Sequence, residues 1–222
     1  MTTSQILQTP LSETEIEKYF DRLWPICRSI SGNGLRSSFH ILQELIPLEL
    51  IEYPTGKEVF DWTIPNEWNI SDAYILTPDG EKICDFKKNN LHIVNYSIPF
   101  EGEVEWAELS QHFFTIENQP DAIPYITSYY KETWGFCIDF NTLQRLPKTG
   151  KYKVVIQSQL APGSVTVGHC ILHGESQQEI VLSTYLCHPS MANNELSGPL
   201  CMAFLYQQLA AIPHRKIGRA HV

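Results

Sequence analysis

One run of the chain, STYLCHPSMANNELSGP at residues 183–199, gathers side chains able to do chemistry: His188, then Asn193, Asn194 and Glu195. A neutral imidazole and a carboxylate a few residues apart supply borderline and hard donors for a divalent metal, zinc most readily. The amides at the start of the following apolar segment would also orient a bound anion or carboxylate if that segment is a helix. The same residues equally suit a turn and a helix cap, since Asn is a favoured capping residue, and spacing alone leaves both readings open.

Other reactive side chains fit their surroundings without a site. His169 and His173 lie four residues apart on an expected strand, about 13 Å at the strand rise, on one side but too far apart to share an ion. Cys187 and His188 are adjacent and would point to opposite faces of a strand, which makes a poor nucleophile–base pair, so Cys187 is expected in the core. Ser197 lacks the G-x-S-x-G elbow that exposes a nucleophilic hydroxyl and is expected to start a helix. Gly32 and Gly34 make no phosphate loop, with no strand before them and no Lys at the right spacing after. Phe60, Trp62, Trp68, Tyr129, Tyr130 and Trp134 suit either a groove for a sugar or peptide or the core of a β module. Asp61, Glu67 and Asp72 nearby read as solvated rim.

His188 needs elements that hold it. Glu179–Cys187, EIVLSTYLC, is a continuous apolar run of the kind buried on both faces of a parallel sheet. Residues 199–212 are apolar nearly all round, with Pro199 near the first turn, and read as a buried helix. His188 would then sit at the carboxyl edge of an α/β sheet, where such sheets bind ligands. Upstream, Ser12-Glu-Thr-Glu15 has capping-box form. Ile16, Phe20, Leu23, Cys27 and Ile30 repeat at helical spacing, and Pro25 kinks or ends that helix. Leu35, Phe39, Leu42 and Ile46 mark a second helix closed by Pro47. From 58 to 150, short β-branched and aromatic stretches alternate with turn residues, among them Pro78-Asp-Gly80.

Composition narrows the function classes. The 222 residues are 43% hydrophobic and 18% charged, which excludes a disordered chain. The net charge of −9, with no Lys/Arg block, argues against nucleic acid and anionic membranes as partners. The opening MTTSQILQTPLSETE lacks the charged start and apolar stretch of a secretory signal, and no run has the length of a membrane helix. Six cysteines without C-x-x-C spacing suggest free thiols. A cytoplasmic protein is expected. The last six residues, Ile217–Val222, read as the in-frame translation of a sequencing adapter, so the native frame is expected to end near Lys216. A truncated copy, inactive as it stands, follows, and His221 is no ligand.

The run at 183–199, with RSISGNGLR at 28–36, GKEVFDWTIPNEWNISDAYI at 56–75, NLHIVNYS at 90–97 and IPYITSYYKETWGFC at 123–137, closely resembles the aminopeptidase-like proteins carrying DUF4910 and DUF2172 domains. Some of these are described as polysaccharide-biosynthesis proteins with an aminopeptidase-like domain. The resemblance runs from about Glu13 to Pro213. It implies an α/β fold: a partial zinc-exopeptidase-like domain of the M28 type, interrupted by a smaller β-rich domain. Residues 1–57 would be the helical start of the peptidase-like domain, 58–150 the inserted domain, 151–216 the truncated α/β part, and 217–222 a non-native tail.

By the same resemblance, His188 matches the first metal-ligand histidine, and one or two zinc ions are implied. Asn194 stands where the family usually has a metal-bridging Asp, and an amide is a poorer, uncharged bridge. Glu195 could take that place with a one-residue shift of the turn; a single metal, or none, are the other outcomes. The general base, a further carboxylate ligand and a last His would lie beyond the chain's end, so the catalytic residues are unknown. The implied activity is metal-dependent hydrolysis of a small peptide or amide. The alternative is a degenerate peptidase fold serving as a binding or regulatory module in polysaccharide biosynthesis.

Overall fold

A computed structural model describes residues 12–213; the six-residue tail and His221 lie outside the described residues. The chain is a mixed α/β protein of two compact units, one holding the described residues up to 64 and from 163 on, the other formed by Pro65–Pro162. The expected edges of the inserted domain, 58 and 150, are therefore displaced. Residues 58–64 stay with the first unit, and residues 151–161 belong to the second because they form the middle of its sheet.

The first unit opens with α1 (Glu13–Leu23), where the Ser12 hydroxyl accepts a hydrogen bond from the Glu15 amide. That contact satisfies one of the free N–H groups at the helix start, so Ser12→Ala is expected to cost about 1 kcal/mol in urea unfolding. Pro25 ends α1 rather than kinking it: the Trp24 amide makes the last bond of helical spacing, to the Phe20 carbonyl at 2.8 Å, and the Ile26 amide past the proline makes only a three-residue turn onto Leu23. α2 (Asn33–Leu42) follows and buries Leu35, Phe39 and Leu42. The strand β1 (Glu49–Pro54) comes next, then a short hairpin of β2 (Glu58–Val59) and β3 (Trp62–Thr63).

In the second unit β4 (Glu67–Leu76) turns through Pro78-Asp-Gly80 into β5 (Lys82–Ile83). Gly80 has φ of 89° and the Gly80 amide bonds the Thr77 carbonyl at 2.9 Å, the turn its residues dictate. Then come β6 (Phe100–Glu105), the single turn α3 (Trp106–Leu109), β7 (Phe113–Phe114), β8 (Phe136–Cys137), α4 (Phe140–Arg145) and β9 (Lys151–Ala161). The four-stranded sheet has the order β5-β4-β9-β6 and is antiparallel throughout. Tyr152, Val154, Ile75, Phe136 and Leu109 fill its core. Trp68 and Trp134 are core residues too: Trp68 stacks on Tyr96 and donates its Nε1–H to the Ser97 carbonyl at 2.9 Å, while Trp134 stacks between Phe100 and His112. Their burial withdraws both from the groove reading, whereas Tyr130 is 87% exposed.

The chain returns to the first unit with β10 (Ser164–His169), antiparallel to β1 in the register Glu49↔His169 to Pro54↔Ser164. The later run Glu179–Cys187 corrects an expectation. It pairs with no strand among the described residues, and the parallel ladder there is limited to β7 with β8 in the other unit. The run lies largely at the surface instead: Leu186 packs into the core, while Ile180, Val181 and Tyr185 are 54%, 61% and 52% exposed. Its composition is that of a central strand, but such a strand needs neighbours on both edges and packed layers on both faces. The last helix, α5 (Ser197–Ala210), buries Leu200, Ala203 and Phe204 against Tyr19, Leu23 and Phe39 of α1 and α2.

Candidate metal centre

His188 lies where the extended run meets α5. Past it, Ser190 takes the left-handed conformation with φ of 46°, a sharp reversal unusual for a residue with a side chain. Residues 192–196 then make one wide turn, in which the Ser197 amide reaches back five residues to the Ala192 carbonyl. Such wide turns recur at functional sites. The reversal and the wide turn together carry Glu195 back to His188, seven residues earlier.

The histidine is held through its main chain from two sides. Its amide donates to Glu195 Oε1 at 2.7 Å, and its carbonyl accepts from Arg28 Nε at 3.0 Å. Arg28 also donates through Nη1 to the Leu23 carbonyl at the end of α1, at 2.6 Å. Both Arg28 and Glu195 are wholly buried. Burial pulls the Arg28 guanidinium down to about 10, against the opposing charge of Glu195.

Around the ring, His188 Nδ1 lies 3.1 Å from Asn194 Oδ1 and 3.1 Å from Glu195 Oε2. Only the first has hydrogen-bond geometry, and Glu195 Oε2 is left buried without a hydrogen bond. Burial alone would lower the imidazole pKa. The neighbouring Cys187 thiol, Glu195 carboxylate and Asn194 amide outweigh it and push the ring up to about 10. The field at this spot favours positive charge.

Donor atoms of Cys187, His188 and Glu195 all lie within 4.8 Å of one another. Cys187 is therefore misread as a core residue turned away from His188: it is half-buried, and its sulfur lies on the same side as the ring. Of the three residues singled out as ligands, the structure sets His188 and Glu195 together and places Asn194, exposed, against the ring. Arg28 went unassigned in the sequence, although it stands in the RSISGNGLR run, because nothing local shows that it reaches a residue 160 positions away.

The remaining candidates stay apart from this cluster. His169 Nε2 faces Glu49 at 3.4 Å, and the Ser197 hydroxyl donates to the Asn193 carbonyl at 2.6 Å in the helix-start role expected of it. An apolar cavity of about 270 Å³ lies beside the cluster, with Leu35, Phe39, Trp62, Val165, Leu186 and Cys187 in its wall. Trp62 is the aromatic that keeps a place in a ligand-sized space.

The buried, hydrogen-bond-free oxygen of Glu195 beside an imidazole and a thiol fits a divalent metal. Carboxylate, imidazole and thiolate are the donors zinc takes, and three of them leave a fourth position open.

Comparison with known proteins supports a peptidase-related origin. Residues 67–159 match DUF2172, a domain of unknown function, which coincides with the Pro65–Pro162 unit and leaves Cys187, His188 and Glu195 outside it. Over 203 residues the chain is 47% identical to a Clostridium acetobutylicum protein provisionally named a polysaccharide biosynthesis protein with an aminopeptidase-like domain, covering 90% of this chain and 46% of that protein. A crystal structure provisionally named a peptidase, also from Clostridium acetobutylicum, superposes with a TM-score of 0.89 at 45% identity, over 94% of this chain and 49% of that one. The chain spans about half the length of the relatives it matches.

Proposed function

Because the chain belongs to an aminopeptidase-like family carrying the DUF2172 domain, we propose that its His188–Glu195 cluster is part of the metal centre of a zinc-dependent aminopeptidase-like hydrolase acting on a small peptide or amide. The observation that carries this reading is the buried Glu195 oxygen, free of hydrogen bonds and 3.1 Å from the His188 ring. His188 and Glu195 would hold the ion, with Asn194 beside them. Bound zinc would supply a Lewis acid for an amide carbonyl and a water of lowered pKa. The chain's own residues do the positioning. Arg28 and Glu195 fix the His188 main chain from opposite sides, and the buried guanidinium balances the carboxylate. Six unpaired cysteines support a cytoplasmic setting, and among the described residues no helix is long and apolar enough to cross a membrane.

Calorimetric titration of the metal-stripped chain with zinc tests the reading. About one ion per chain is expected, with His188→Ala weakening binding on the order of 100-fold. Release of free amino acid from aminoacyl amides by the longer relatives is expected to depend on the same histidine. No zinc uptake, or uptake indifferent to His188→Ala, would overturn the reading.

One observation favours a second reading. Asn194 gives the ring an uncharged partner where a bridging carboxylate would serve two metals. With the relative's name pairing an aminopeptidase-like domain with polysaccharide biosynthesis, this suits a peptidase fold retained as a binding or regulatory module. Zinc bound without hydrolysis by any longer relative would favour it.

A further inference from the structure

We propose that Cys187 is a third donor to this centre, as a thiolate, so that the site is a Cys-His-Glu centre selecting zinc or cobalt over magnesium and calcium. The proposal rests on the metal reading above and adds the sulfur.

The donor atoms of Cys187, His188 and Glu195 lie within 4.8 Å of one another. Bonds of about 2.0–2.3 Å put the donors of a tetrahedral zinc roughly 3.3–3.8 Å apart, so closure needs shifts of at most about 1.5 Å, within the range of side-chain rotation. The Glu195 carboxylate is already in place: Oε1 is tied to the His188 amide at 2.7 Å, and Oε2 faces the gap without a hydrogen bond. Cys187 is half-buried and free of any disulfide. On binding, the S–H bond breaks, the sulfur pair passes to the metal and the proton leaves to solvent. Thiolate is a soft ligand, whereas magnesium and calcium take oxygen, so sulfur sets the preference. The rest of the wall of the adjoining cavity, which Cys187 also lines, carries no further carboxylate, imidazole or thiol.

Cobalt substitution reads the sulfur directly. The chain loaded with Co²⁺ is expected to show a sulfur-to-cobalt charge-transfer band in the near ultraviolet. Cys187→Ser should abolish the band and weaken Co²⁺ binding at least tenfold. A second measurement needs no variant: zinc is expected to slow iodoacetamide labelling of Cys187 at least tenfold and to leave that of exposed Cys201 unchanged, each thiol being followed by mass spectrometry. Magnesium should protect neither. A cobalt complex that His188→Ala destroys but that lacks the band, or zinc that leaves Cys187 labelling unchanged, overturns the thiolate and leaves the metal reading standing. Absence of cobalt and zinc binding overturns both.

Discussion

Arg28→Met is expected to lower the unfolding free energy by about 3–5 kcal/mol, because it removes a buried cation together with its hydrogen bonds and leaves the groups that faced it uncompensated. The guanidinium is wholly enclosed, with Nε on the His188 carbonyl and Nη1 on the Leu23 carbonyl. The charge that opposes its own is that of Glu195, also wholly enclosed. Methionine fills much of the volume but leaves two carbonyls without donors and a carboxylate without its cation. Urea unfolding of Arg28→Met, Glu195→Gln and the double variant measures the coupling. The double variant should be less destabilised than the sum of the singles, because the second change removes the charge stranded by the first. Arg28→Lys should fall between, since an ammonium cannot span two carbonyls as the planar fork does. Strictly additive losses, or a change below about 1 kcal/mol in Arg28→Met, would show that the pair does not compensate.

Gly34→Ala is the second large effect, and a single methyl produces it. A Cβ on Gly34 would sit 1.9 Å from the Cys27 carbonyl oxygen and 2.9 Å from its carbon, both backbone atoms. A side chain could rotate away, but the segment 27–28 must move as a whole. Overpacking commonly costs 1–3 kcal/mol, and with main chain as the obstacle about 3 kcal/mol or more is expected. The displaced segment carries Arg28, so zinc affinity should fall together with stability, whereas Ser12→Ala, remote from the cluster, should lower stability alone. Thermal melts with and without zinc separate the two: a Gly34→Ala chain that melts and binds zinc as the unsubstituted chain does would refute the close approach.

Local devices were legible in the sequence because each is written within a few residues. Ser12 caps α1, Pro25 stops it, Pro47 follows the turns that close α2, and Gly80 completes a hairpin turn. The β-rich character of the middle of the chain was legible for the same reason. Pairing was not. Glu179–Cys187 has the β-branched and aliphatic content of a buried strand, yet whether such a run acquires neighbours depends on segments far along the chain, which composition does not specify. The site was half legible. His188 and Glu195 stood out by type and spacing, but Arg28 acts across 160 positions, and Cys187 was set aside on an alternation rule that holds only while the backbone stays a strand.

The exposed side of the stretch from Ile180 to Leu186 bears on how the chain behaves at high concentration. Ile180, Val181 and Tyr185 project from an extended backbone whose amides have no neighbouring strand among the described residues. Edges of this kind recruit further copies by hydrogen bonding, and nothing charged interrupts the seven residues from Ile180 to Leu186. Crowding would therefore favour self-association through this strip, with precipitation or chaperone capture during expression as its outward sign.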